Sequence, residues 1–460
     1  MASSTQFVMH GHNHLNSRKT IAALTVLLIV FSSLLNACTS YQSPKHPEPK
    51  SYPPLELAEW YGYSWARDTE FNGLSTEEKL SRITTTSIEE GFITSINAIK
   101  VAPGGGIFVV GMVTYANPED MLNSDNSPYI VFIARYNNDL SLLNYIEVSD
   151  FNFCPAIEVY KDGSVYVVYV AQSGLNTIVK YDSNLEEICR QEAISNVSYS
   201  HMGLASDGAL YISGDVKTSS GEDVYYSDAI IAKYSANLVL QGYTTWNGGR
   251  EQSNYSRLVV VGDGSVFVIG DTRDEYSFPY PILHKYSADL ELVAEVTFEP
   301  NGYIDCINGI ATTPDGSVYI VYTTNNRESD SGSACGVVQY TESLEEIASV
   351  WLDEEVMVAS WLPASYSSRL YLSSIAVDSG GLIYCIGTQY ALTDTGEDSY
   401  YLVAVVLSSE LSILNTAHLP MDDSYGPSSI CLSDDADLYI AGYYSNTSFH
   451  IKQVGALLIK

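Results

Sequence analysis

The sequence predicts an all-β fold: a seven-bladed β-propeller of four-stranded antiparallel blades, its ring closed by an N-terminal strand. Three observations predict it. A segment centred on a glycine turn recurs seven times, a second turn follows six of the copies, and helical periodicity is nearly absent between Ile93 and Lys460. A repeat at this period signals a propeller, a solenoid or an array, and units of four short strands select the propeller. Tyr is abundant, at 36 residues, which suits strands better than helices.

The glycine turns come first. The strongest copies read KDGSVYVVYVA from Lys161, SDGALYISGDV from Ser206, GDGSVFVIGDT from Gly262 and PDGSVYIVYTT from Pro314. Weaker copies start at Gly104, Ser379 and Asp435, and successive turns lie 45 to 65 residues apart. An apolar run precedes and follows each turn, so Asp-Gly reads as a hairpin, with a type I′ turn expected. These aspartates are turn formers, not catalysts. A third run follows, as in TIVKYDSNL, AIIAKYSANL and ILHKYSADL, with its own turn between the aromatic residue and the Leu. A fourth strand comes next, as in LELVAEVTF. The seventh unit stops at GALLIK and lacks that strand. A ring must close or expose a sheet edge, and LELAEWYGYSWA, Leu55 to Ala66, is the expected closing strand.

The 460 residues carry 22 Lys plus Arg against 55 Asp plus Glu, a formal charge of −33. Nucleic acid needs a basic surface, so it is not an expected partner. Charged residues make up only 17% of the chain and hydrophobic ones 46%, enough for a large core.

The N-terminus stands apart. Arg18 and Lys19 precede an apolar run from Ile21 to Leu35 that ends in LNAC. This is the layout of a secretory signal, too short for the ~20 residues of a membrane span. It resembles a bacterial lipoprotein signal, which implies that Cys38 becomes the lipidated first residue. The expected domains are a signal peptide over 1–37, a Pro-rich tether over 38–54 and the propeller over 55–460. The HGHNH at His10 to His14 falls in the removed segment.

The units also resemble the SBBP-type bacterial β-propeller repeat: a glycine turn, a YVxG-like strand, a variable loop and an (I/V)xKY strand. DEYSFPYPILHKYSADL, Asp274 to Leu290, matches best, and the similarity covers Asn97 to Lys460. The chain departs from the pattern at Tyr169 and Tyr322, which replace Gly, and at Val406-Leu407, which replace Lys-Tyr. The resemblance implies an exported envelope protein and no single activity.

Strand order puts the two kinds of turn on one face of the disc and the other connections on the opposite face. The second-to-third loops are acidic. They carry Asp120 and Asp125; Glu222, Asp223 and Asp228; Asp274 and Glu275; Asp330; and Asp394, Glu397 and Asp398, with Lys217, Arg273 and Arg327 as the main basic residues. Such a rim suits a basic partner surface or a hard cation such as calcium, although no loop has a D-x-D-x-D-G spacing; a solvated, solubilising rim is the competing explanation. Trp246, beside a blade-to-blade connection, is a candidate ligand anchor or a core residue.

H-E-x-x-H, G-x-S-x-G, C-x-x-C and phosphate-binding glycine loops are absent from the sequence. His201 and His418 are the histidines placed to reach the acidic face. Cys306 and Cys335 are the best disulfide candidates. The expected function is a lipid-anchored, monomeric envelope protein that binds a protein or glycan through the acidic face, without a required cofactor. Two alternatives stay open: a metal-assisted hydrolase, lactonase or lyase using His201, and an envelope-assembly factor.

Overall fold

A computed structural model describes residues 93–114, 129–138, 142–148, 151–171, 176–220, 225–249, 252–273, 279–298, 306–313, 315–325, 333–352, 367–392, 398–421, 424–433, 438–446 and 453–459. These residues form strands and turns, without a helix among them. The strands build a propeller-like arrangement of antiparallel meanders, each following chain order. The expected closing strand, Leu55 to Ala66, lies outside the described residues.

Counted as hydrogen-bonded sheets, the described residues give four free-standing four-stranded blades rather than seven. The difference has two sources. The units over 197–246 and 252–297 join into one eight-stranded sheet through a single parallel pairing, Ser227 with Gln252. The unit over 424–459 has three strands. The first strands of the units nevertheless touch in a closed circuit. Ile93–Val101 meets Phe151–Val159, and contact passes through Val197–Leu204, Gln252–Val260, Cys306–Thr312 and Ser367–Val377 to Ser424–Leu432, which returns to Ile93–Val101.

The core is divided among the gaps between neighbouring units. Ile96, Phe132 and Tyr136 of the first unit pack with Cys431, Tyr439 and Ala441 of the last. Ser428 Oγ also donates to the Ile96 carbonyl at 2.7 Å. Alternating strand residues face the two neighbours, so the middles of the second and third strands, covered on both sides, are mostly apolar, as at Val165–Val168 and Val266–Ile269. Fourth strands such as Glu187–Glu192 are largely exposed.

The hairpin turn differs from the expected type I′. In the unit at Lys161, Gly163 donates to the Tyr160 carbonyl and Tyr160 to that of Ser164. Gly163 has φ +85°, whereas Asp162 keeps a negative φ. This is a type I turn followed by a left-handed glycine, the three-residue hairpin loop. The aspartate is placed to accept rather than to adopt positive φ: Asp162 Oδ1 accepts the Ser164 amide at 2.8 Å and Asp263 Oδ1 that of Ser265 at 2.8 Å. The Ser265 amide holds the Asp263 carboxyl below its ordinary range.

The second turn has its own device. Leu185, Leu238, Leu290, Leu344 and Leu411 all adopt φ between 61° and 64°. A left-handed non-glycine residue costs about 1–2 kcal/mol, while burying a Leu side chain contributes roughly 1.5–3 kcal/mol. Leu185, Leu238, Leu344 and Leu411 are buried, so burial outweighs strain and the Leu pins the turn to the core. A Ser, Asp or Thr at the turn's start caps it, as where Ser287 Oγ accepts from Asp289 and Glu291.

These second turns are where the units clasp one another. Tyr166 Oη and Lys180 Nζ both donate to the Ala236 carbonyl, at 3.1 Å each. Tyr211 Oη and Lys233 Nζ repeat this on Ala288, at 3.1 and 2.8 Å. Arg135 reaches the Ser183 carbonyl, Lys285 the Glu342 carboxylate, Tyr319 the Ser409 carbonyl and Tyr439 the Asn138 carbonyl. Each acceptor residue is the second of its turn, in the next unit round. The Lys also lies over the aromatic ring of the adjoining strand, 5.0 Å away for Lys180 and Tyr166. The Lys of the Lys-Tyr pair, with a second-strand Tyr, is therefore half of a joint between units, whereas the paired Tyr bonds inside its own unit, as Tyr234 does with Tyr199.

The departure from Gly at Tyr169 has a steric basis. A Cβ on Gly270 would lie 1.9 Å from the Asn254 carbonyl oxygen, because the first strand bulges toward it. In that unit Tyr255 crosses from the first strand to meet Tyr286 Oη at 2.7 Å. Tyr169 supplies the phenol from the glycine position itself and meets Tyr181 Oη at 3.0 Å. The strand opposite Tyr169 bulges differently, skipping two residues between Phe153 and Ala156.

Candidate functional site

Closure of the first strands surrounds a central channel with their inner edges. Every one of these strands carries a bulge. The extra residues include Asn97, Ser200, Ser256, Asn308, Ser373 and Ser428. A bulge bends a strand and re-aims its side chains. Here it also frees hydroxyls to link units: Ser373 Oγ donates to the Pro427 carbonyl at 2.7 Å.

Four consecutive units contribute an ionisable side chain: His201 and Arg257 stand just past the bulge, and Lys100 and Glu158 two residues further along the strand. Lys100 Nζ and Glu158 Oε1 are 2.6 Å apart, with side chains 34% and 14% exposed. Burial opposes the Lys100 ammonium, but the Glu158 carboxylate outweighs it and raises the Lys100 pKa. Burial, reinforced by the charges of Lys100 and Arg257, holds the His201 pKa well below its ordinary value. The imidazole is therefore neutral at pH 7. Its Nδ1 is buried without a hydrogen-bond partner among the described residues. Arg257 Nη2 reaches past the neighbouring first strand to the Ser373 carbonyl at 3.4 Å. Burial lowers the Arg257 pKa, which the nearby Cys306 partly offsets.

Of this group the sequence reading singled out only His201. Lys100, Glu158 and Arg257 were missed, although a signal exists: IKVA, IEVY and SRLVV each place a charge beside the apolar residues that end a first strand.

Most of the predicted acidic site falls outside the described residues: Asp120, Asp125, Glu222, Asp223, Asp274, Glu275, Asp330, Asp394 and Glu397, together with the lipidation candidate Cys38. Asp228 is half-buried within Tyr225–Tyr234, opposite Val216. Asp398 opens Asp398–Leu407, opposite Leu392. Both therefore stand in strands rather than loops. Trp246 ends Leu240–Trp246 and is half-buried, edge-on to the His284 ring at 4.5 Å. His284 itself is buried, with Nδ1 2.7 Å from Tyr255 Oη. Among the described residues no group of three or more His, Cys, Asp or Glu is placed to hold a metal.

The expected Cys306–Cys335 disulfide is corrected. Both thiols are free. Each pairs with Thr323 from opposite sides, so a whole strand separates them, too far for a bridge. Cys335 instead donates to the Leu370 carbonyl at 2.8 Å and accepts from the Leu372 amide at 3.3 Å.

The rims of the disc differ in length statistics. Every connection between first and second strands, from 102–106 to 433–437, has five residues. So does every connection between third and fourth strands, from 137–141 to 408–412. On the opposite rim the connections range from two residues at 149–150 to 14 at 115–128 and 353–366.

No protein-family model matches the chain, and a search of curated proteins finds no match. Among solved structures, the polysaccharide lyase Uly1 aligns at 12% identity and a TM-score of 0.47, over 87% of this chain and 96% of that one. A Dyadobacter fermentans protein of unknown function aligns at 10% identity and a TM-score of 0.46, over 80% and 94%. A Bacteroides caccae protein of unknown function aligns at 12% identity and a TM-score of 0.38, over 59% and 85%.

Proposed function

We propose that this chain is an exported, lipid-anchored, seven-bladed propeller that serves as a binding module for a protein or glycan on its variable rim. The contrast between the rims carries the reading. One rim is held at five residues per connection, whereas loops free to vary over a rigid scaffold are where recognition residues gather. The acids Asp120, Asp125, Glu222, Asp223, Asp228, Asp274, Glu275, Asp330, Asp394, Glu397 and Asp398 belong to or adjoin those varying connections, which favours a basic partner surface. The seven-blade count treats the eight-stranded sheet as two blades sharing one bridge and assigns the missing outer strand to residues 55–66. Deletion of residues 55–70 then abolishes the cooperative melt; a truncated chain that melts like the full one ends the closure proposal. The LNAC sequence and the Pro-rich segment after it support lipidation at Cys38, and the SBBP-like motifs support export to the envelope.

The deciding experiment captures partners from envelope extract with the full chain in detergent. A second bait carries Glu222, Asp223, Glu397 and Asp398 changed to Lys. A partner held by the native bait and lost from the folded variant supports the module; identical captures refute it. Repeating the capture with calcium or chelator tests the cation role of the same acids. The second reading, an enzyme centred on His201, draws on the ionisable lining of the channel, and turnover of a carbohydrate or lactone substrate that is lost in His201→Gln would establish it.

A further inference from the structure

The channel lining is lopsided, and this separates it from the acidic rim. Lys100, Glu158, His201 and Arg257 come from four consecutive units. At the same two positions, just past the bulge and two residues on, the other three units supply Gly309 and Ala311, Ser374 and Ala376, and Ser429 and Cys431. Small residues thus complete the ring that the charged arc begins. Among the described residues two cations meet one carboxylate there, and His201 adds none, so these residues leave one positive charge uncompensated inside a chain of net −33. Glu158 is committed to Lys100 at 2.6 Å. Among the described residues Arg257 has one long bond, to the Ser373 carbonyl, and a guanidinium offers five donors. His201 Nδ1 adds a buried ring nitrogen without a partner among the described residues.

The geometry points to a binding site in the channel for one small monocarboxylate, held by the Arg257 fork, the Lys100 ammonium and the His201 Nδ1–H. A carboxylate matches the planar guanidinium through paired hydrogen bonds and neutralises the single excess charge. A divalent cation fits this lining poorly, because two fixed positive charges repel it. The site is independent of the variable rim, so it stands or falls apart from the partner proposed there.

The test uses the full chain in detergent at constant ionic strength, with acetate and glucuronate as probes and glucose as the uncharged control. Calorimetric titration is expected to show saturable 1:1 binding of at least one carboxylate and none of glucose. Arg257→Gln is expected to weaken binding by at least about tenfold, the loss of a charge-assisted hydrogen bond. Glu158→Gln is expected to tighten it, because Lys100 is released to the ligand; a merely structural Glu158 would not produce that sign. Absence of saturable carboxylate binding overturns the site, as does an Arg257→Gln protein that binds as the native chain does. A Glu158→Gln protein that folds and binds more weakly overturns it too.

Discussion

The two rims of this molecule obey different rules. On one, every connection has five residues, the turns are capped by Asp, Ser or Thr, and a left-handed Leu is driven into the core. Neighbouring units grip those turns through Tyr and Lys. On the other rim, connection length varies sevenfold, from two residues to 14. The difference shows where the repeat motif acts. Its Asp-Gly, its Lys and its Leu all serve the uniform rim, where they form the turns and the joints between units. Freedom of length is left to the rim the motif does not reach.

The largest effect that tests this division is expected at Gly270. Its Cβ position is occupied by the Asn254 carbonyl, so Gly270→Ala forces backbone to move and should cost at least ~3 kcal/mol in chemical denaturation. Leu238→Ala should cost about 2–4 kcal/mol, since the buried side chain goes while the left-handed strain remains. If Leu238→Ala is neutral, the turn is not pinned as described.

Acid stability offers a comparable effect away from the uniform rim. Burial depresses the His284 pKa to about 4, below an unfolded value near 6.5. Between those values the unfolded chain binds more protons, so stability is full above about pH 6.5 and falls as pH drops toward 4. The loss is on the order of 3 kcal/mol. His284→Gln should flatten that part of the stability–pH profile; an unchanged slope would place the titration elsewhere.

The smallest effects distinguish the joints themselves. Lys233→Met removes a charged donor from Ala288 and a cation over Tyr211, and should cost roughly 1.5–3 kcal/mol. The equivalent Gln339 only bonds the Tyr319 hydroxyl, so Gln339→Met should cost about 1 kcal/mol. Equal losses at the two positions would remove the special role of the Lys.

Much of this organisation was legible in the sequence, because turn chemistry and apolar runs are local. The glycine turns, the second turns and the meander order could be read from residues such as Asp162-Gly163 and the Leu after each Lys-Tyr. The turn class was misjudged because a sequence does not reveal that Asp162 accepts a hydrogen bond while only Gly163 goes left-handed. The joints were invisible for a different reason. Lys233 and Ala288 are 55 residues apart, and nothing local marks them as partners. The channel group was missed because Lys100, Glu158 and Arg257 come from separate strands whose shared inner edge exists only once the ring closes. Cys306 and Cys335 misled because starting strands in one unit is no substitute for register.

Chain-length tolerance tests the central claim most directly. A single Gly inserted between Asp289 and Leu290, and the same insertion between Glu275 and Tyr276 in a separate protein, would be compared by thermal melting. A uniform rim under constraint predicts that the first insertion lowers Tm by about 5 °C or more, and that the second leaves it within about 1 °C. Equal losses, or a larger loss from the second, would contradict the division of the molecule into a structural rim and a free one.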